Sequence, residues 1–474
     1  MTPDEFRAAG HELIDWIADF RRSIESRPVL AQVGPGDVKG GFPASAPTAP
    51  VAFSQLIDML DAVVLPGVTQ VQHPMHFGWF PSNSSLSSVL GDIASSGLGS
   101  LGITWQSSPA LTEVEEVVND WLRELCGLSD AWSGVIQDTA STACLVAMLC
   151  ARERASAFSQ NRGGLQGEAQ PLVVYASPQC HSSVPKAVLL AGFGADNLCH
   201  IELDPVTYAL RPEALRTTME ADVAAGRKPA AVILGLGTTG TTAFDPIRPV
   251  VDIAARFGAW VHIDAAMAGS AMLLPECRSL FDGIEGADSI SWNPHKWMGT
   301  ALDCSMYLVR DHELLVQVMS TNPSYLNSGV DGQVVQYKDW GIPLGRRFRA
   351  MKLWFHLALD GVEIIQARLR RDLENARWFA EQVSSTDDWK VLAPVALQTV
   401  CIRHEPPGLT GDALDAHTLG WVNDINRSGE AFMSPSVLDG RWMVRVSVGV
   451  ESTERLHVQR LWDLVQKAAR RSLV

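Results

Sequence analysis

Lys296 stands in Asn293-Pro294-His295-Lys296-Trp297, just after a short apolar run and with apolar sequence on its other side. A lysine in that setting has two readings. Its stem can pack while the ammonium reaches water. Alternatively, burial can depress the amine's pKa until it attacks a carbonyl and holds a Schiff base. For the residue alone, the first reading is the commoner. Asp264 ends another apolar run, Ala259 to Ala265. A carboxylate at the carboxyl end of a parallel strand points into the crevice where such sheets bind ligands, although it also suits a helix N-cap.

Three further groups narrow the choice. Asp138-Thr139-Ala140-Ser141-Thr142 precedes an apolar helical run. Small and hydroxylated residues at a helix start leave N–H groups for an anion, and capping explains one such residue more easily than four. Gly237-Thr238-Thr239-Gly240 follows a strand-like run and could add to a phosphate cradle. His181 also follows a strand-like run, where an imidazole can stack on a planar ring, though a lone histidine is more often structural. Together, an acid, a lysine, an anion-binding helix start and an aromatic cap suit pyridoxal phosphate (PLP). There the acid keeps the pyridine nitrogen protonated so that the ring can draw electrons from Cα. The sequence holds no HExxH metal motif and no GxSxG elbow, so no metal is expected.

The elements that must position these residues follow from hydrophobic pattern. Residues 171–177, 230–237, 259–265, 289–292 and 304–309 are apolar throughout, as strands covered on both faces are. Helical stretches such as 246–257 separate them, which predicts an α/β sheet. Residues 4–26 predict an amphipathic helix with no core of its own, so it must lie on the rest of the chain or on a second subunit. A Pro/Gly/Ala-rich connector covers 34–50, and a second helical pattern lies near 53–65. Beyond about 365, a charged helix, strand-like segments and a final helix at 452–471 predict a separate α+β domain. The expected division is a helical segment at 1–84 packing on a partner subunit, a large cofactor-binding domain at 85–364 and a small α+β domain at 365–474.

The 474 residues are 46% hydrophobic, enough for a large core. A formal charge of −15, with basic residues only in short clusters such as Arg346-Arg347 and Arg470-Arg471, argues against nucleic acid and anionic membranes as partners. No run of eighteen uncharged apolar residues predicts a membrane span. The first residues lack a signal-peptide pattern, and eight scattered cysteines form no CxxC pair, which together predict a cytoplasmic protein with free thiols.

The sequence also resembles the group II PLP-dependent decarboxylases, above all the aromatic-L-amino-acid (DOPA/tryptophan) decarboxylases. The likeness runs over nearly the whole chain, through HPMHFGWFPSNSS (73–85), ITWQSSPALTEVE (103–115), GVIQDTAS (134–141), HSSVPKA (181–187), HIDAAMAGS (262–270), NPHKW (293–297), NPSYL (322–326) and DWGIPLGRRFRAMKLWF (339–355). The resemblance implies a PLP-dependent transferase-like fold (fold type I) with a mostly parallel sheet, a homodimer, and decarboxylation of DOPA, tryptophan, 5-hydroxytryptophan, phenylalanine or tyrosine to the amine. It implies that Lys296 carries the cofactor, Asp264 pairs with the pyridine nitrogen and His181 stacks on the ring. Ala140, Ser141, Asn293 and His295 would line the phosphate side, Thr239 the ring, and Ala266 its other face. Tyr325 would protonate Cα from a loop that closes around 329–332; in related aldehyde synthases phenylalanine replaces this tyrosine. The substrate side chain would meet Trp79, Phe80, Pro81, Ser82, Leu101, Ile103 and Gly345, with Leu101 and Ile103 coming from a partner subunit. Two positions depart from the family pattern. Met267 stands where an aromatic residue is frequent, and Trp79 where tyrosine is frequent, which narrows the expected pocket and removes a hydroxyl.

Overall fold

Seven strands make the larger sheet of the computed structural model, which describes residues 1–321, 330 and 332–473. In chain order after a short β1 (His76–Phe77) they are β2 (Ser133–Gln137), β3 (Leu172–Ala176), β4 (Leu198–His200), β5 (Lys228–Gly235), β6 (Trp260–Asp264), β7 (Ser289–Trp292) and β8 (Ser305–Val309). Their spatial order is β2-β8-β7-β6-β5-β3-β4. The pairs β7/β6, β6/β5, β5/β3 and β3/β4 are parallel; β8 runs against both β7 and β2. The sheet is therefore mixed but mostly parallel, as expected. The strand interiors are buried without alternation, because helices cover both faces.

Helix Ala140–Ala155 shows how sequence places an active element. Its run is apolar on nearly every side, so it buries Ala143, Cys144, Val146, Ala147, Met148, Cys150 and Ala151 in the core it shares with Val135, Val174, Ile233 and Tyr307. Burying one side chain of Met148's size contributes about 1.5–3 kcal/mol. The helix begins at Ala140 because Thr139 is extended (φ −137°, ψ 160°) and its side chain accepts from Thr142 N–H. All eight cysteines are free, and six are buried, which agrees with the thiol expectation.

The chain divides into two compact units: Met1–Pro81 with Asn375–Leu392 and Cys401–Val474, and Ser82–Glu374 with Ala393–Val400. The seven-stranded sheet lies in the second. In the first, helix Pro3–Ser23 opens with a capping box in which Thr2 and Glu5 satisfy each other's backbone N–H, and it buries none of its residues. A smaller sheet orders β1, β11 (Phe432–Leu438), β12 (Arg441–Ser447), β10 (Thr399–His404) and β9 (Trp389–Val391). β11 and β12 form a hairpin whose turn uses Asp439 (φ 50°) and Gly440 (φ 74°), the positive-φ pair that a tight hairpin needs. Sequence pattern gave no expectation of strands at β2, β4 or β11. Pro435 breaks the pattern of β11, yet it is tolerated because β1 pairs only with Phe432 and Met433 and ends before it. Among the described residues, no helix is long and apolar enough to cross a membrane.

Candidate active site

Strand direction assembles the site. β3, β5, β6 and β7 are mutually parallel, and β2 shares their direction because both β2 and β7 run against β8. Five carboxyl ends therefore meet one edge of the sheet. β2 delivers Asp138–Thr142, β3 delivers His181, β5 delivers Thr238–Gly240, β6 ends on Asp264, and β7 leads into Asn293–Lys296. Residues 133–137 and 289–292 lie level on either side of β8, which explains a direct link between two of the loops: Ala140 N–H donates to Asn293 Oδ1 at 3.1 Å.

Along this edge the buried interior gives way to accessible residues. Ser141 and His181 are exposed, and Thr239, Asp264, Ala266 and Lys296 are half-buried, whereas Ala265, Met267, Asn293 and His295 beside them are buried. Lys296 breaks the helical geometry of its own turn (φ −97°, ψ −116°), and its backbone N–H is held by the Asn293 carbonyl at 2.9 Å. One Asp264 oxygen accepts from Ala266 N–H at 3.1 Å. Ser183 N–H donates to His181 Nδ1 at 3.2 Å, which leaves the ring proton of the neutral form on Nε2. Desolvation lowers the His181 pKa, the Lys296 charge lowers it further, and Asp264 opposes both. His181 thus feels the charges of both Asp264 and Lys296.

His295 is held differently. Its Nδ1 accepts from Cys304 N–H at 2.9 Å, and burial with the neighbouring Lys296 charge pushes its pKa down to about 4. It is neutral near pH 7, with its donor proton on Nε2. Beside His181, the Cys180 thiol is pushed up to about 12 by burial and by Asp264 and Asp245, so it stays protonated and is no nucleophile. Asp245 itself was not anticipated. It is buried in the loop after β5, accepts from Leu210 N–H at 2.7 Å and Gly235 N–H at 2.8 Å, and thereby fixes the turn that carries Thr239. A single charged residue inside the otherwise uncharged stretch Thr241–Pro246 was the available signal.

The donor set fits PLP. Ser141 at the helix start, next to Ala140 whose own N–H is taken by Asn293 Oδ1, together with the Asn293 amide NH2 and a neutral His295 N–H, offers donors to a phosphate. Asp264 offers a carboxylate to a ring nitrogen, and Lys296 an amine to the aldehyde.

The expected substrate-side residues fall in two groups. Leu101, Ile103 and Gly345 come together, because Gly102 and Arg346 form an antiparallel bridge with Arg346 N–H donating to Gly102 O at 3.0 Å. Ser82 begins the same unit. Trp79, Phe80 and Pro81 belong to the other unit. There Trp79 has φ 51°, donates its N–H to Ser434 Oγ at 2.7 Å, and sets its ring 5.0 Å from Phe432 and 5.4 Å from His76 while staying 52% exposed. The preceding Gly78 is obligatory, since a Cβ there would lie 2.3 Å from the Phe432 ring. Phe80 lies under the buried Arg445 guanidinium at 4.9 Å. Met267, the other departure, receives the Gln398 amide on its sulfur at 3.0 Å. Tyr325, with Gly329 and Asp331, lies outside the described residues.

Comparison with known proteins agrees with this geometry. Residues 35–405 match the model of the pyridoxal-dependent decarboxylase conserved domain. Phenylacetaldehyde synthase of Arabidopsis thaliana is 39% identical over 99% of this chain and 96% of its own length. Tryptophan decarboxylase 2 of Oryza sativa is 39% identical over 100% of this chain and 96% of its own length. The crystal structure of Oryza sativa TDC with PLP and tryptamine superposes with a TM-score of 0.95 at 37% identity, covering 99% of each chain.

Proposed function

This chain belongs to the pyridoxal-dependent decarboxylase family, and on that premise we propose that it removes the α-carboxylate of an aromatic L-amino acid to give the amine and CO2. The observation that carries the reading is the meeting of Lys296, Asp264 and His181 at one sheet edge, in a chain alike over its full length to enzymes named for tryptophan and tyrosine. PLP, when bound, supplies an electron sink for the pair left at Cα.

The chain's own residues do the rest. Lys296 would hold the cofactor through its amine. Asp264 keeps a proton on the pyridine nitrogen, and its tie to Ala266 N–H fixes the carboxylate for that task. His181, Ala266 and Thr239 would hold the cofactor's ring. Ala140, Ser141, Asn293 and His295 anchor the phosphate, and the Asn293–Ala140 bond locks two of those anchors together. Tyr325 delivers a proton to Cα, which gives amine rather than aldehyde. Leu101, Ile103, Gly345 and Ser82 receive the aromatic side chain. A Cβ at Gly345 would meet nothing within 4 Å, so glycine leaves room there for a large ring. We further propose a cytoplasmic homodimer in which the segment 1–84 lies on the partner subunit; the unburied helix Pro3–Ser23 supports this.

The test is kcat/KM across tryptophan, 5-hydroxytryptophan, DOPA, tyrosine, phenylalanine, histidine and glutamate, with the PLP-loaded protein. Amine from at least one aromatic substrate, and little from histidine or glutamate, is expected. Preference for glutamate would overturn the reading. Tyr325→Phe should divert turnover toward aldehyde and hydrogen peroxide; an unchanged amine yield would remove Tyr325 from its role.

A further inference from the structure

We propose that Arg346 and Glu115 are positioning residues that set the width of the substrate pocket by tying its Gly345 wall to the strand that carries the phosphate-side helix. The proposal rests on the reading above, in which Leu101, Ile103 and Gly345 meet the substrate's side chain.

β2 is an edge strand of the seven-stranded sheet, so among the described residues its outer backbone groups have no partner strand. Side chains take that place. Ile136 N–H donates to Glu115 Oε1 at 2.8 Å, and Ile136 O accepts from Arg346 Nη2 at 2.9 Å. Next along the strand, Gly134 O accepts from Asn119 Nδ2 at 2.8 Å and from the Tyr337 hydroxyl at 3.3 Å. Arg346 and Glu115 also pair directly at 2.5 Å, with side chains 7% and 0% exposed, and the guanidinium lies 4.8 Å over the Tyr337 ring. The carboxyl end of the same strand runs through Gln137, whose amide donates to Trp340 O at 3.0 Å, into the helix start at Ala140.

Arg346 therefore acts at both ends. Its side chain grips β2, while its backbone bridges Gly102 and so fixes residues 101–103 against Gly345. The bridge is tight: a Cβ on Gly102 would lie 2.8 Å from Arg346 O. Because Gly345 has no side chain and open space before it, the position of this backbone, rather than any group on it, decides how wide a ring the wall admits. A buried ion pair adds little net stability over an apolar replacement, so stability alone gives weak reason for one here. Arginine's flat guanidinium, by contrast, lies on the Tyr337 face while its Nη2 alone holds both the carboxylate and the strand carbonyl, a stacked arrangement that lysine cannot reproduce.

The experiment uses the full-length, PLP-loaded protein and two variants. Arg346→Lys keeps the charge but loses the planar group stacked on Tyr337. The double variant Glu115→Gln/Arg346→Met removes both charges and leaves no buried ion orphaned. For each, kcat and KM are measured for tryptophan and phenylalanine, alongside melting temperature and the calorimetric affinities for tryptamine and phenethylamine. In both variants the tryptophan-to-phenylalanine ratio of kcat/KM should shift ~5-fold or more, mainly through KM, with amine affinities shifting in parallel. Melting of the double variant should stay near that of the parent. If Arg346→Lys does not fold, the double variant decides. A ratio unchanged in the folded variants, or equal losses for both substrates, would overturn the positioning role. A parent protein that decarboxylates no aromatic amino acid would instead overturn the functional reading, so the two failures are separable.

Discussion

His181, at the edge of the larger sheet, and His404, in the smaller one, are treated in opposite ways. At the carboxyl edge of the seven-stranded sheet, His181 is exposed, Asp264 and Lys296 are half-buried, and the charges of both reach His181. In the five-stranded sheet, His404 is buried against Trp389 at 4.7 Å, bonds His417 at 2.9 Å, and His417 in turn bonds Ser472 at 2.9 Å. Around it Trp389 meets Trp421 and Trp462 at 5.7 and 5.1 Å, and Trp462 meets Phe379 at 5.6 Å, all edge to face. One region keeps its polar groups available to a ligand. The other consumes them internally, so its residues should govern stability without touching chemistry.

The sharpest way to break that contrast is Lys296→Ala. Decarboxylation should fall ~10³-fold or more, and the protein should no longer retain a visible cofactor band after gel filtration, while its melting temperature without PLP stays close to the parent's. Trp421→Ala should do the reverse. Trp421 is fully buried, so truncation should cost about 3–5 kcal/mol in denaturant unfolding, with kcat of the folded fraction nearly unchanged. A loss of kcat at full folding would show that the aromatic cluster is not merely structural.

A smaller effect should come from pH. His76, His262, His295 and His404 are all pushed down to about 4 by burial, from an ordinary 6.5. Between these values the unfolded chain binds protons that the native chain refuses, so stability should fall as pH drops from about 6.5 toward 4. Asp245 works the other way. Burial raises it from 3.8 to about 6, so its contribution grows as pH falls through 6, but one carboxylate stands against four imidazoles. Melting temperature measured from pH 7.5 to 4.5 should decline steadily; a flat profile would contradict neutral buried histidines.

Much of this was legible in the sequence. The strands β3, β5, β6, β7 and β8 were readable because burial on both faces makes them apolar throughout, and Lys296, Asp264 and His181 stood out as polar residues at their ends. β2 was not readable. It is short, carries Gly134 and Gln137, and satisfies its outer edge with side chains from residues 115, 119, 337 and 346, which no local pattern encodes. The convergence of five strand ends was also invisible, because strand order is set by long-range pairing. Asp245 and the Arg346–Glu115 pair escaped notice for the same reason: each acts on backbone distant in sequence.

The most direct test of the central claim is the product balance of the PLP-loaded protein given tryptophan, phenylalanine, tyrosine or DOPA. Evolved CO2, amine, aldehyde and hydrogen peroxide are counted in the same vessel. The account predicts one amine per CO2 with no stoichiometric peroxide from at least one of these substrates. Aldehyde and peroxide in step with CO2, or no CO2 from any aromatic amino acid, would contradict it.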